Sequence, residues 1–226
     1  AVDQAEKEPD AAWAVNRDGV SYLAEAAHKT DARLVQVSTD FIFDGSQSHP
    51  YLPEDSPAPL SVYGASKLGG EEAVRNQAGL HWLILRTAWV YAAGGQNFVN
   101  TMLRLMRQGT DLRVVADQVG CPTHADSLAT AIWQALKKDV TGVHHWTDAG
   151  VASWYDFAVA IQEEALSLKL LERPVTITPI RTQDYPVPAK RPAYSVLDKT
   201  ATWQALETTP THWRDNLRTM LSQINT

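Results

Sequence analysis

The sequence is poor in the features that mark secreted, membrane-bound or nucleic-acid-binding proteins. Its 226 residues include one cysteine, Cys121, which cannot form an internal disulfide and so fits a reducing compartment. It has no apolar run of the about 18 residues that a membrane-spanning helix needs. Its formal net charge of −6 provides no basic face for nucleic-acid phosphates. We therefore expect a cytoplasmic protein that binds neither nucleic acid nor a membrane.

Glycine-rich phosphate-binding loops are also missing. The 12 glycines form neither Gly-x-Gly-x-x-Gly nor Gly-x-x-Gly-x-x-Gly, and Gly69-Gly70 and Gly94-Gly95 stand as isolated pairs. Such loops hold the pyrophosphate of a dinucleotide against the N-terminus of a helix. The sequence therefore offers no recognisable pyrophosphate site.

Helical and strand-like patterns alternate along the chain. Strand-like apolar runs lie at 33–38, 80–86, 112–115, 142–146 and 175–180, and helical patterns cover 10–29, 61–76, 97–108, 125–138, 153–166 and 211–223. In the first of these helices, Val15, Val20, Leu23 and Ala24 are predicted to share an apolar face. A polar stretch rich in proline and glycine, 44–60, predicts a long loop. The alternation predicts an α/β fold with a parallel sheet flanked by helices.

Polar residues end the two most apolar strands. Ser38-Thr39-Asp40 follows the first strand, and Arg86-Thr87-Ala88-Trp89 ends the second. In an open parallel sheet, ligands bind at the carboxyl ends of the strands. The active site is therefore predicted at these two strand ends.

Tyr63 and Lys67 form a Tyr-x-x-x-Lys motif at the start of the helix that follows the long loop. Their spacing places both side chains on one helical face, where the ammonium is expected to lower the pKa of the phenol. Such a tyrosine can give a proton to a carbonyl oxygen while hydride reaches the carbon, and a hydroxyl of Ser38 or Thr39 could hold that oxygen. Taken alone, the motif is more often a surface pair of little energetic value.

In context, the sequence resembles the extended short-chain dehydrogenase/reductases, and most closely the dTDP-4-dehydrorhamnose reductases. Besides the strand end and the Tyr-x-x-x-Lys helix, the segments that carry the likeness are Ala1-Val2-Asp3-Gln4-Ala5-Glu6, Arg86-Thr87-Ala88-Trp89-Val90-Tyr91, Asn97-Phe98, Asp117-Gln118-Val119-Gly120-Cys121-Pro122-Thr123 and Arg191-Pro192. The resemblance implies reduction of the keto group of a dTDP-6-deoxysugar by NADPH or NADH, a step that supplies dTDP-L-rhamnose for polysaccharides.

The resemblance also implies roles for individual residues. Thr39, Tyr63 and Lys67 match the catalytic triad, with Tyr63 as proton donor, Thr39 orienting the carbonyl and Lys67 also binding the ribose. Ser38 could share the hydroxyl role and contact the cofactor. The positions that match substrate contacts are Asp40, Trp89, Asn97, Gln118 and Arg191, the last as a phosphate partner. Structural alternatives are a core position for Trp89, a turn at Gln118 and a surface ion pair for Arg191.

Other residues narrow the chemistry. Nucleotide-sugar 4,6-dehydratases follow their Thr-Asp pair with a glutamate that serves in elimination, whereas Phe41 stands at that position here. A phenyl ring cannot move a proton, so keto reduction is favoured over dehydration. His144 and His145 are neighbours in a predicted strand and point to opposite faces, so no shared metal site is expected.

Compared with the family, we expect the sequence to begin just after the fourth strand, roughly 60–70 residues into the fold. We expect a fragment of an intact reductase with impaired activity, the alternative being a natural short form. The predicted arrangement is a truncated Rossmann-like domain (1–89, 125–148 and about 183–197) and a smaller α/β substrate lobe (90–124, 149–182 and 198–226). Exposed sheet edges predict self-association.

Two other functions remain open at this stage. One is a non-catalytic binding protein, similar to the regulatory β subunit of methionine adenosyltransferase. The other is a different nucleotide-sugar reductase or an epimerase, since epimerases also use Tyr-x-x-x-Lys. Net consumption of reduced cofactor distinguishes a reductase from an epimerase.

Overall fold

The computed structural model of the protein describes residues 1–224. Its helices are α1 (Val2–Lys7), α2 (Pro9–Trp13), α3 (Gly19–Lys29), α4 (Val62–Asn76), α5 (Phe98–Arg107), α6 (Ala125–Lys137), α7 (Trp154–Ser167), α8 (Thr200–Leu206) and α9 (Trp213–Gln223). Its strands are β1 (Leu34–Thr39), β2 (Trp82–Thr87), β3 (Val90–Tyr91), β4 (Leu112–Val115), β5 (Val119–Gly120), β6 (Thr123–His124), β7 (Gly142–His145), β8 (Ala152–Ser153) and β9 (Ile177–Ile180).

The chain divides into two compact units. The first comprises Ala1–Thr87, Ala131–Trp146 and Val187–Thr208. The second comprises 88–130, 147–186 and the described residues from 209 onward. The segment 198–208 thus lies in the first unit, whereas the sequence-based division placed it in the substrate lobe.

The first unit is built on a parallel sheet with the strand order β1-β2-β7. Leu83, Ile84 and Leu85 of β2 are almost completely buried, as expected for a central parallel strand that is covered on both faces. In the β1–β2 register Thr39 lies opposite Thr87, so both polar strand ends reach the same edge of the sheet. The predicted α/β fold is confirmed.

Two adjacent glycines let the helical segment 9–29 approach α4 closely. A Cβ on Gly70 would lie 2.2 Å from the backbone oxygen of Asn16, and one on Gly69 would lie 2.7 Å from the Trp13 ring. Asn16 belongs to a π-helical stretch, Ala14–Asp18, which joins α2 to α3. Gly70 thus allows direct contact with the backbone of this stretch, and Gly69 leaves room for the Trp13 ring.

The π-helical stretch also explains why the apolar face predicted for residues 10–29 is partly wrong. Val20 and Ala24 are buried, but Val15 is 70% and Leu23 is 59% exposed. A π turn takes one residue more than an α turn, so a face drawn for one continuous α-helix loses phase across Ala14–Asp18. Leu23 lies at the edge of the stripe that faces α4.

The second unit has a separate core. Its strands pair as β4-β9, β3-β6 and β5-β8, and α5, α7 and α9 enclose an apolar cluster. Val99, Phe157, Ile161 and Leu217 are fully buried in that cluster. The predicted helices here end within two residues of the observed bounds, whereas the strands of two residues were not predicted because they are too short for a periodic pattern.

The described residues contain neither a membrane-spanning helix nor a cluster of metal-binding side chains. No helix within 1–224 combines the length and apolar character that a bilayer crossing requires. In the same residues, no group of at least three His, Cys, Asp or Glu side chains is arranged to hold a metal ion.

We predict that Gly70→Ala lowers the free energy of unfolding by about 1–3 kcal/mol, because its methyl group would collide with the Asn16 backbone. Gly19→Ala is the matched control: its Cβ would meet only ordinary contact at 3.5 Å, and alanine should stabilise the helix by about 0.5–1 kcal/mol. Urea unfolding of both variants measures the difference. Equal effects would contradict the proposed contact.

Candidate active site

The end of β1 carries a cluster of buried hydroxyl and carboxyl groups. Thr39 caps a short 3₁₀ turn, Asp40–Ile42, by accepting a hydrogen bond from the Phe41 backbone N–H at 3.2 Å. Its hydroxyl also donates a hydrogen bond to Asp40 Oδ1 at 3.1 Å. Opposite it, the buried Thr87 Oγ1 has no hydrogen-bond partner among the described residues.

The start of α4 brings Tyr63 to this strand end. Ser61 caps the helix by accepting from the Gly64 N–H at 3.1 Å, and Glu6 accepts from the Val62 N–H at 2.7 Å. A Cβ on Gly64 would lie 2.2 Å from the carbonyl oxygen of Phe41, so only glycine allows this approach. As a result, the Tyr63 phenol comes close enough to the Thr39 hydroxyl for Thr39 to influence its pKa.

Burial raises the pKa of Tyr63. The neighbouring Thr39 hydroxyl acts in the opposite direction, and the negative charge of Asp40 raises the pKa further. The expectation that Lys67 lowers this pKa is therefore wrong, because desolvation of the phenol dominates. The phenol stays protonated at neutral pH, which is the state that a proton donor needs.

Lys67 lies one helical turn from Tyr63 and is tied to β1. Its Nζ donates to the carbonyl oxygen of Val37 at 2.7 Å. Burial lowers the pKa of Lys67, while the negative charge of Glu71 raises it. Lys67 thus joins α4 to the strand whose end carries Thr39.

Asp40 is a buried carboxyl with an unused oxygen. Burial raises its pKa to about 6, although hydrogen bonds with Ser195 and Thr39 act against the shift. Its Oδ2 has no hydrogen-bond partner within the described residues. A buried polar atom without a partner suits contact with a polar ligand, as the resemblance implies for a sugar hydroxyl.

The same residues fit the nicotinamide–ribose end of a dinucleotide. Tyr63 and Lys67 present a phenol and an ammonium on one face of α4, and the unpartnered Thr87 Oγ1 and Asp40 Oδ2 lie at the neighbouring strand ends. The buried Ser38 Oγ at the end of β1 also has no hydrogen-bond partner among the described residues, so Ser38 and Thr39 both stay candidates for the hydroxyl role. We assign no pyrophosphate contact to these residues.

Arg191 has a partner within the first unit. Its Nη2 donates to Asp3 Oδ2 at 2.7 Å, and both side chains are half-buried. This arrangement corresponds to the ion-pair alternative. The phosphate role of Arg191 stays a prediction.

The other predicted substrate residues belong to the second unit. Trp89 has a positive φ of 48° and stacks on Trp154 with ring centroids 3.5 Å apart. Asn97 caps α5 by accepting from the Asn100 N–H at 3.1 Å. Gln118 Nε2 donates to Thr182 Oγ1 at 3.1 Å. Their substrate roles are not tested by these local contacts.

Sequence reasoning missed Ser195 and Glu71. Ser195 hydrogen-bonds with Asp40 from a distant part of the chain, which no local pattern could indicate. Glu71 follows Lys67 by four residues and so continues the face that carries Tyr63 and Lys67. That spacing was the available signal.

Comparison with known proteins agrees with this geometry. The family model described as RmlD substrate binding domain matches residues 1–226. The dTDP-4-dehydrorhamnose reductase of Aggregatibacter actinomycetemcomitans is 44% identical over 223 residues, which cover 96% of this chain and 76% of that protein. The chain belongs to the dTDP-4-dehydrorhamnose reductase family.

Further members of the dTDP-4-dehydrorhamnose reductase family extend the match. The enzyme of Escherichia coli (strain K12) is 38% identical, with 100% of this chain and 77% of that protein covered. The crystal structure of the Bacillus anthracis dTDP-4-dehydrorhamnose reductase in complex with NADP superposes with a TM-score of 0.92 at 34% identity, covering 100% of this chain and 77% of that one. A dTDP-glucose 4,6-dehydratase from Streptomyces venezuelae, at 19% identity, shares the fold alone.

The raised pKa of Asp40 predicts a pH-dependent cost in stability. The folded chain binds this proton more tightly than the unfolded chain, so the contribution of Asp40 to the unfolding free energy falls as the pH rises from 3.8 to about 6. We expect Asp40→Asn to gain stability over the parent chain by on the order of 2 kcal/mol at pH 8 and by little near pH 4. Urea unfolding at both pH values measures this, and a gain that is larger at pH 4 would contradict it.

Proposed function

We propose that this chain carries the proton-transfer and sugar-binding parts of a dTDP-4-dehydrorhamnose reductase. The observation that carries the proposal is the position of Tyr63 at the start of α4 beside the Thr39 hydroxyl, with Lys67 one turn along the same helix. The substrate would be the 4-keto group of a dTDP-6-deoxysugar, and the product would be dTDP-L-rhamnose for polysaccharide synthesis. The single cysteine favours a reducing compartment, and we propose the cytoplasm.

The residues of the chain divide the work at one carbonyl oxygen. The Thr39 hydroxyl, which donates to Asp40 Oδ1 in the free chain, would donate to the carbonyl oxygen when the substrate binds and so orient it. Tyr63 would deliver its phenolic proton to the same oxygen. Asp40 Oδ2 is free to accept a hydrogen bond from a sugar hydroxyl. When bound, NADPH supplies the hydride to the carbonyl carbon, and Tyr63 and Lys67 would hold its nicotinamide–ribose end. NADPH is favoured over NADH because the B. anthracis family member binds NADP.

Phe41 supports reduction without elimination. Its ring meets the Tyr63 ring edge-on, with centroids 5.9 Å apart and planes at 82°. The position that a dehydratase uses for an acid–base carboxyl therefore holds an apolar wall against the phenol. A solely regulatory role would not require the neighbouring hydroxyls of Thr39 and Tyr63 or the unpartnered Asp40 Oδ2.

We predict that Tyr63→Phe lowers turnover by roughly 100- to 10,000-fold, because the phenyl ring keeps the packing and loses the proton. Loss of NADPH absorbance with the keto sugar provides the rate. Tyr22→Phe is the control, since Tyr22 is 70% exposed in α3 and should leave turnover unchanged. Undiminished turnover in Tyr63→Phe would defeat the mechanism.

We also propose that the chain associates with itself. β1 has no strand beside its outer edge within residues 1–224, and Val37 on that edge is 37% exposed. Val15, Tyr22 and Leu23 add exposed apolar surface to the same unit. An open strand edge and an apolar patch both favour association.

The expected result is a concentration-dependent rise in mass at micromolar protein in analytical ultracentrifugation. Leu23→Lys should shift this equilibrium toward the monomer, because it places a charge in the exposed apolar surface. Ser21→Lys, also exposed on α3, is the matched charge control and should have less effect. A monomer of constant mass for the parent chain would refute the proposal.

A further inference from the structure

A fully buried ion pair joins α4 to β2. Arg86 Nε donates to Glu71 Oε1 at 2.9 Å, and Arg86 Nη2 donates to Glu71 Oε2 at 2.8 Å. Glu71 is 0% and Arg86 is 1% exposed. Arg75 adds a third hydrogen bond to the carboxylate at 2.6 Å, and Arg86 Nη1 donates to the carbonyl oxygen of Pro53 at 2.8 Å. The carboxylate is thus fixed from two elements.

Stability alone does not explain a charged pair at this place. Desolvating two charges costs several kcal/mol per ion, and apolar replacements of buried pairs are often neutral or stabilising. The helix-to-sheet contact around the pair is otherwise apolar, with Val74 and Ile84 buried nearby in one cluster. The buried pair therefore indicates a functional role in addition to a stabilising one. Lys67 lies one helical turn from Glu71.

Lys67 is placed so that it needs a negative neighbour. It follows Tyr63 and precedes Glu71 by four residues each, so the three side chains share one face of α4. Its Nζ donates to the uncharged Val37 carbonyl oxygen at 2.7 Å. Burial lowers the pKa of Lys67, and the charge of Glu71 acts against that loss.

Several other charged side chains around α4 have partners of their own, whereas Lys7 of α1, Asp10 of α2 and Glu72 of α4 have no ion pair among the described residues. On the elements that pack against this helix, Arg17 pairs with Asp18, Lys29 with Glu25 and Arg191 with Asp3, while Glu6 accepts from the Val62 N–H and Asp40 bonds with Thr39. Arg86 and Arg75 contact the carboxylate of Glu71, and His145 beside Arg86 has its pKa lowered to about 3 by burial, so it is neutral.

We propose that Glu71 is a positioning residue for Lys67: it supplies the buried negative charge that keeps the Lys67 ammonium protonated beside Tyr63, while Arg86 and Arg75 hold the carboxylate. The role in catalysis rests on the reductase function proposed above. The electrostatic link between Glu71 and Lys67 does not require turnover to be observed.

The test is the pH dependence of Lys67 acylation in Glu71→Gln, followed by trace labelling with acetic anhydride and peptide mass spectrometry. We expect the midpoint of the Lys67 labelling curve to move to lower pH, with the labelling rate near pH 8 rising roughly three- to tenfold. A merely structural role gives the opposite sign, because a loosened helix returns water to Lys67 and moves the midpoint to higher pH.

Two further variants make the result decisive. Glu164→Gln is the matched control, because Glu164 pairs with Arg214 and Arg218 in the second unit and should leave the Lys67 curve unchanged. Arg75→Gln removes a cation whose side chain is 37% exposed, so it should fold and move the midpoint to higher pH. An unmoved midpoint in both Glu71→Gln and Arg75→Gln, or an upward shift in Glu71→Gln, would overturn the proposal.

Since labelling reports on Lys67 directly, a chain without reductase activity could still show the expected shifts. The proposed function and the role of Glu71 can therefore fail separately. If Glu71→Gln does not fold, Glu71→Asp keeps the charge and should retain a midpoint close to that of the parent chain, whereas Arg75→Gln still tests the sign.

Discussion

The close approach of α4 to the end of β1 is the constraint on which the candidate site depends. Gly64 lies against the carbonyl oxygen of Phe41, where any side chain would collide with backbone. This contact fixes the height of α4 along the strand, and with it the position of Tyr63 beside Thr39. The reactive phenol is therefore placed by backbone packing more than by its own side-chain contacts.

The same region concentrates groups that oppose folding. The Asp40 carboxyl is buried and loses its hydration, and the buried Thr87 hydroxyl has no hydrogen-bond partner among the described residues. Glu71 and Arg86 are buried charged side chains. A core optimised for stability alone would replace most of them with apolar side chains. The unpartnered atoms, Asp40 Oδ2 and Thr87 Oγ1, lie at adjoining strand ends. This is typical of an active site, where a bound ligand supplies the missing hydrogen-bond partners.

Much of this arrangement follows from local sequence, and the remainder depends on distant residues. The parallel strands, the long loop and the Tyr63–Lys67 face are encoded in short patterns and were predicted close to their observed positions. The direction of the Tyr63 pKa shift was not, because burial depends on what packs around the phenol. Ser195 and Asp3 reach their partners across most of the chain, and a single sequence carries no signal for such contacts.

The edge-on packing of Phe41 against Tyr63 also bears on the difference between this family and the nucleotide-sugar 4,6-dehydratases. Exchanging the ring for a carboxylate would add an acid–base group, but it would also hydrate the phenol and set a negative charge beside it. Reduction and dehydration therefore favour different side chains at the position of Phe41. Exchanging Phe41 alone would therefore change the surroundings of the tyrosine as well as the side chain beside it.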